Sequence, residues 1–295
     1  MTRNIMLYSI MSVLISTICH PVNSLGDDIR RPVCAGSFYP AEDSSLTHMI
    51  EKLENEAKKT SATLSDQRIS QTPVKALILP HAGYVYSGPI AAHGSLVLKD
   101  RHFDKVIVMA PDHRMGFRNG SVSNCSAYRT PLGDLPVHGD AKKLLELKPL
   151  FTTVMDSDKS EHAIEVILPF IQYHVKTFSI IPIVLGPSNV KNYKDAIISI
   201  IDGNTLLVAS SDLSHYLTYD EAVKKDQETI QMILSSDTDA LVKEENRACG
   251  IIPVLTLIMI AQEKGWKPFL LNYANSGDTA GQKDRVVGYA AIAYF

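Results

Sequence analysis

The sequence predicts a single α/β domain with a mostly parallel central sheet and helices on both faces. Three observations predict it. Four short, uninterrupted apolar runs, at 76–79, 106–110, 180–185 and 206–209, each end in turn residues, as strands buried on both faces do. Helical periodicity separates several of these runs, and strand–helix alternation marks a parallel sheet enclosed by helix layers. The chain has 295 residues and 45% hydrophobic content, enough for one large core.

The elements follow in order. Arg3 precedes a charge-free apolar run at 5–19, which has the form of a secretory signal and is short for a bilayer span. Residues 1–26 are therefore expected to be a signal peptide or apolar leader, and 27–295 the folded domain. The product is exported or periplasmic if the leader is cleaved, and otherwise cytoplasmic. No stable membrane span is expected in the mature chain. Residues 32–40 read as irregular. In 44–59, Leu46, Met49, Ile50 and Leu53 recur at helical spacing, and the polar stretch 60–72 reads as a surface loop.

From residue 74 the pattern becomes regular. Strand 76–79 ends in Pro80-His81 and is followed by a helix at 89–98. Strand 106–110 ends in Pro111-Asp112-His113, with helices at 141–147 and 161–174 beyond it. Pro169 is expected to bend or interrupt the second of these. Strand 180–185 ends in Gly186-Pro187-Ser188, and a helix at 192–201 leads to strand 206–209, which ends in Ser210-Ser211-Asp212-Leu213-Ser214-His215. Helices at 219–234 and 251–262 and strands at 269–273 and 286–294 complete the domain.

Composition excludes several functions. The net charge is −3 and the basic residues are scattered, so no nucleic-acid partner is expected. Cys19, Cys34, Cys125 and Cys249 form no CxxC pair, which argues against a zinc ribbon or a disulfide framework. Gly83 and Gly88 do not make a GxGxxG fingerprint, so no nucleotide cofactor is expected. There is no GxSxG elbow.

Ligands of open α/β sheets bind outside the carboxyl ends of the strands. His81, His113 and the pair Asp212/His215 each follow a strand within a few residues, which delivers imidazole and carboxylate to one edge. Any one of these histidines alone would read as a buried, satisfied side chain; three strand exits together point to a functional cluster. Two histidines and one anionic residue suit a divalent metal with open positions, and Asp212 and Cys249 are both candidates for the third ligand. Cys249 precedes the 251–262 helix beside Arg247, and both features favour a thiolate. His162 and Glu165, spaced i, i+3, are expected to share a helix face and to orient a ligand. Tyr84 and Tyr86 are expected to line the mouth and hold a small ligand.

Ala35-Gly36-Ser37-Phe38-Tyr39-Pro40, Pro80-His81-Ala82-Gly83-Tyr84 and Ser210-Ser211-Asp212-Leu213-Ser214-His215 resemble the Memo family, also called AmmeMemoRadiSam system protein B. Tyr128-Arg129-Thr130-Pro131, Glu161-His162-Ala163-Ile164-Glu165, Cys249-Gly250 and Leu271-Asn272-Tyr273-Ala274 extend the resemblance from about Arg31 to Phe295. It implies a fold like the catalytic subunit of class III extradiol dioxygenases, which use non-haem Fe(II). It also implies that His81, His113 and Cys249 hold a metal, with Asp212 and His215 as the polar pair beside it and His215 in the acid/base position. Arg114 stands where many relatives have a second histidine, at the pocket rim, and joins Tyr84 and Tyr86 as a substrate-binding candidate.

A thiolate ligand is softer and more oxidisable than a carboxylate, so the resemblance does not carry ring-opening dioxygenation with it. The expected function is metal-dependent redox or oxygen-linked chemistry on an unknown small substrate, with iron the expected metal and copper its rival. The alternatives are a non-catalytic module that binds a peptide or small ligand, and a metal-assisted hydrolase.

Overall fold

The computed structural model of the chain describes residues 29–60 and 72–295. The apolar leader expected at 1–26 and most of the expected 60–72 loop lie outside the described residues.

Four parallel strands form the centre: β2 (Ala76–Leu79), β9 (Thr205–Ser210), β3 (Lys105–Pro111) and β8 (Ser179–Leu185), adjacent in that order. Their side chains alternate between two cores. Ala76, Ile78, Ile107, Met109, Ile181, Ile183, Leu207 and Ala209 enter one. Leu77, Leu79, Val106, Val108, Ile180, Val184, Leu206 and Val208 enter the other. Both faces are covered, which is why these strands read as continuous apolar runs rather than alternating ones.

Antiparallel strands join the centre on both sides, so the whole sheet is mixed. On one side β12 (Val286–Tyr294) pairs β2, and β10 (His215–Leu217) and β11 (Pro268–Asn275) pair β12. On the other, β4 (Gly120–Val122) runs antiparallel to β8, with β7 (Phe151–Thr152) beyond it. β11 and β12 follow one another in the chain, and the short connection between them permits antiparallel pairing. A small second sheet joins β1 (Ile29–Arg30), β5 (Ala127–Thr130) and β6 (Gly133–Pro136).

Helices α1 (Asp43–Thr60), α2 (Gly88–Leu96), α3 (Ala141–Leu145), α4 (Met155–Ser160), α5 (Leu168–His174), α6 (Val190–Ile198), α7 (Tyr219–Ser235), α8 (Thr238–Leu241), α9 (Ile251–Lys264) and α10 (Ser276–Thr279) complete the described elements. The first core takes Tyr193 and Ile197 of α6 and Val254, Leu257 and Ile258 of α9. The second takes Ile90 of α2 and Leu168 and Ile171 of α5. Helix α1 lays Leu46, Ile50 and Leu53 on a third cluster with Tyr39, Tyr84 and Phe170. Among the described residues no helix is long and apolar enough to cross a membrane.

The helix expected over 161–174 is broken. Glu161 is extended, a 3-10 turn spans Glu165–Ile167, and α5 starts at Leu168 with Pro169 in its first turn. Proline lacks the N–H an interior turn needs, and the first turn is where that loss is harmless. Residues upstream are thereby freed from helical geometry.

Candidate metal centre

Three of the four central strands end two residues short of a polar side chain: His81 after β2, Asp212 after β9 and His113 after β3. Because the strands are parallel neighbours, these residues emerge side by side. His162 joins them from the extended stretch after α4, and Cys249 from the segment preceding α9. Its approach depends on Gly250, where an added Cβ would stand 2.5 Å from the Ser210 carbonyl oxygen and 2.7 Å from Ser211 Cβ. Only glycine lets the start of α9 come so near the end of β9.

The hydrogen bonds set the ring tautomers. The Ser210 hydroxyl donates to the Ala163 carbonyl at 2.6 Å, so its oxygen accepts from His81 Nδ1–H at 2.8 Å. His81 Nε2 then carries a lone pair, and it lies 3.3 Å from Cys249 Sγ. Burial first, and then the neighbouring rings of His113 and His162, hold His81 well below the usual histidine range, which keeps it neutral. His113 donates its backbone N–H to Glu161 Oε2 at 2.9 Å and sets Nδ1 3.0 Å from Oε1. A carboxylate can only accept there, so Nδ1 carries a proton and Nε2 is the ring nitrogen that Glu161 does not engage.

The His162 ring stacks on His113 at 4.9 Å and stands perpendicular to His81 at 5.4 Å. Its Nδ1 is 3.2 Å from Glu161 Oε1 but lies off the line of a good hydrogen bond. One ring nitrogen from each of His81, His113 and His162 falls within 4.8 Å of the other two. Burial alone would raise the Glu161 carboxyl, but the hydrogen bond from His113, the nearby His162 ring and the Ala163 N–H outweigh it and hold it well below the carboxylate range. Sequence reasoning missed Glu161 as a partner of His113. Its signal was there, an acid directly before a histidine, but a helix was expected at that point.

Asp212 is buried and accepts the His81 backbone N–H at 2.8 Å; burial raises its carboxyl despite that bond. The Asp212 N–H points at Cys249 Sγ at 3.2 Å. Burial and then Asp212 push the Cys249 thiol far up, so the thiolate needs a cation beside it. Arg247 is not that cation, contrary to expectation. Its guanidinium pairs with Glu244 at 2.9 Å and donates to Thr229. His215 donates Nδ1–H to the Leu213 carbonyl at 2.8 Å, leaving Nε2 free to accept a proton.

His81, His113, His162, Asp212, His215 and Cys249 line a cavity of about 480 Å³, with Arg114, Tyr216, Asn246 and Ala248 completing the wall. Tyr84 does not reach it. The ring is 1% exposed, packs on Phe170 and donates its hydroxyl to the Val166 carbonyl. Tyr86 is exposed but lies outside the lining. Glu165 shares no helix face with His162 because no helix joins them. It binds the Arg30 guanidinium, the Val33 and Cys34 N–H groups and the Tyr39 hydroxyl, tying the N-terminal segment to the domain.

The Memo-like protein family matches residues 30–293. A MEMO1 family protein of Sulfolobus acidocaldarius is 35% identical over 284 residues, covering 90% of this chain and 99% of its own. Another, of Methanosarcina mazei, is 36% identical over 282 residues, with 90% and 98% covered. A third, of Thermoplasma volcanium, is 32% identical over 272 residues, with 90% and 97% covered. With end-to-end similarity of this order and the family's pattern matched across nearly all of the domain, the chain belongs to the Memo family.

Proposed function

We propose that the chain is a metal-dependent protein of this family, performing redox or oxygen-linked chemistry on a small substrate. The observation that carries this reading is the pair of fixed rings. His81 and His113 each have Nδ1 tied to a fixed partner, one nitrogen of each ring clusters with one of His162, and the Cys249 thiol lies 3.3 Å from His81 Nε2.

A divalent transition metal fits this donor set. Imidazole nitrogens and a thiolate are its preferred ligands, and a carboxylate behind a ligating histidine raises that ring's basicity. His81 and His113 would hold it with Cys249, and His162 offers a further or replacement imidazole. Iron is the proposed metal; copper suits two histidines and a thiolate as well. When bound, the metal supplies electron transfer and Lewis acidity. His215 Nε2 takes up or returns a proton, and Asp212 fixes the His81 backbone. The apolar run at 5–19 supports export of the domain, which N-terminal sequencing of native protein checks.

The test is elemental analysis of anaerobically purified protein for iron and copper, repeated on His81→Ala, Cys249→Ser and His162→Ala. Loss of metal in the first two and retention in the third is the expected result. Wild-type protein that takes up neither metal, under conditions where it remains folded, overturns the reading in favour of a metal-free binding module.

A further inference from the structure

We propose that the cavity takes a small carboxylate, gripped at its rim by Arg114. The inference rests on reading this cavity as a ligand site, and it names the chemical class of the ligand. At about 480 Å³ the cavity suits a small molecule. Arg114 lines it and is exposed, and among the described residues its guanidinium has no carboxylate or carbonyl partner. Three other arginines are held by carboxylates: Arg30 by Glu165, Arg129 by Asp134 and Arg247 by Glu244.

The loop beneath Arg114 is built to present it. The Asp112 carboxylate accepts four successive backbone N–H groups, from Arg114 at 3.1 Å, Met115 at 2.9 Å, Gly116 at 2.5 Å and Phe117 at 3.2 Å. That carboxylate is committed to the backbone and holds the loop in one shape, so little ordering remains to be done on binding. The acids at the site are committed too. Glu161 holds His113 and the Ala163 N–H, and Asp212 accepts from His81. On the Tyr216 side of the cavity, the Arg285 guanidinium lies 5.0 Å from the Tyr216 ring centroid and adds positive potential. One free guanidinium fork matches the two oxygens of a carboxylate.

The experiment is calorimetric titration of benzoate and succinate, their uncharged amides, and inorganic phosphate. It uses metal-loaded and chelated protein, with metal content measured in every sample. Wild-type protein is expected to bind at least one carboxylate about tenfold or more tightly than its amide, the worth of a charge-assisted hydrogen bond, and more tightly than phosphate. Arg114→Gln removes that preference and Arg114→Lys restores part of it. A preference that survives Arg114→Gln, the absence of any preference, or tighter binding of phosphate overturns the inference. A preference present in protein that takes up no metal upholds it while the metal reading fails. A preference that needs metal and ignores Arg114 overturns it while the metal reading stands.

Discussion

The side-chain amide of Asn246 bridges both backbone groups of His215, accepting from its N–H at 3.0 Å and donating to its carbonyl at 2.9 Å. Asn246 itself sits at φ 57, and Tyr216, next to His215, at φ 62. Residues other than glycine avoid this region unless their surroundings hold them there. The strand exit that carries His215 is thus pinned from the side by a loop.

Asn246→Gly keeps that backbone conformation accessible and deletes the bridge. Stability should fall by about 1–3 kcal/mol, two hydrogen bonds at roughly 0.5–1.5 each, as read by denaturant unfolding. Nitrogen NMR of the His215 ring should show the Nδ1–H form giving way to a tautomer mixture. An unchanged ring signal would mean that the Leu213 carbonyl alone sets the tautomer.

Glu161→Gln keeps the shape of the side chain and removes its charge. Metal affinity should drop by about 10–100-fold, the usual effect of losing a carboxylate behind a ligating histidine, as measured by competition with a chelator of known affinity. Because the folded Glu161 carboxyl is held below its ordinary range, its contribution to stability is complete above the unfolded value and fades as pH falls below it. The variant should lack that part of the acid sensitivity.

Glu165→Ala should destabilise the fold by about 3–5 kcal/mol, because it strands the buried Arg30 guanidinium. Arg30 also donates to the carbonyls of Asp158 at 3.1 Å and Glu161 at 2.9 Å, so the His162 segment should loosen with it. Hydrogen exchange of 158–165 would report this. Protection that stays at wild-type level would confine Glu165 to the N-terminal segment.

His93 in α2 is buried, with Nε2 2.5 Å from the Asn272 amide nitrogen and Nδ1 without a partner among the described residues. Burial pushes it down to about 4. A histidine held neutral in the fold supports stability fully above its unfolded value near 6.5, and the support is lost as pH falls towards 4. Metal-free protein should therefore lose stability across that window, and His93→Leu should flatten the slope in unfolding experiments run between pH 7 and 4.

The central strands were legible in the sequence because burial on both faces leaves one kind of signal, an apolar run. The carboxyl-edge rule then located His81, His113 and Asp212 without coordinates. What escaped was short or aperiodic. β4, β7 and β10 are two or three residues long, below any repeat that periodicity can register. Glu161 and His162 sit in extended chain between two helical pieces, where spacing on a helix face misleads. Tyr84 looked like a pocket residue because hydroxyl and ring suit a ligand equally well, and only packing shows that Val166 and Phe170 take both.

The equal offset of His81, Asp212 and His113 from their strand ends works as a ruler. Successive residues of an extended chain face opposite ways, so one residue inserted at any of these exits would turn its side chain away from the other two. The turns at the opposite edge carry no such constraint. Those between α2 and β3, and between α6 and β9, feed the strands at their amino ends. Length variation in this domain therefore belongs at the amino edge, where loops can grow by several residues while the distances among the site's side chains stay as they are.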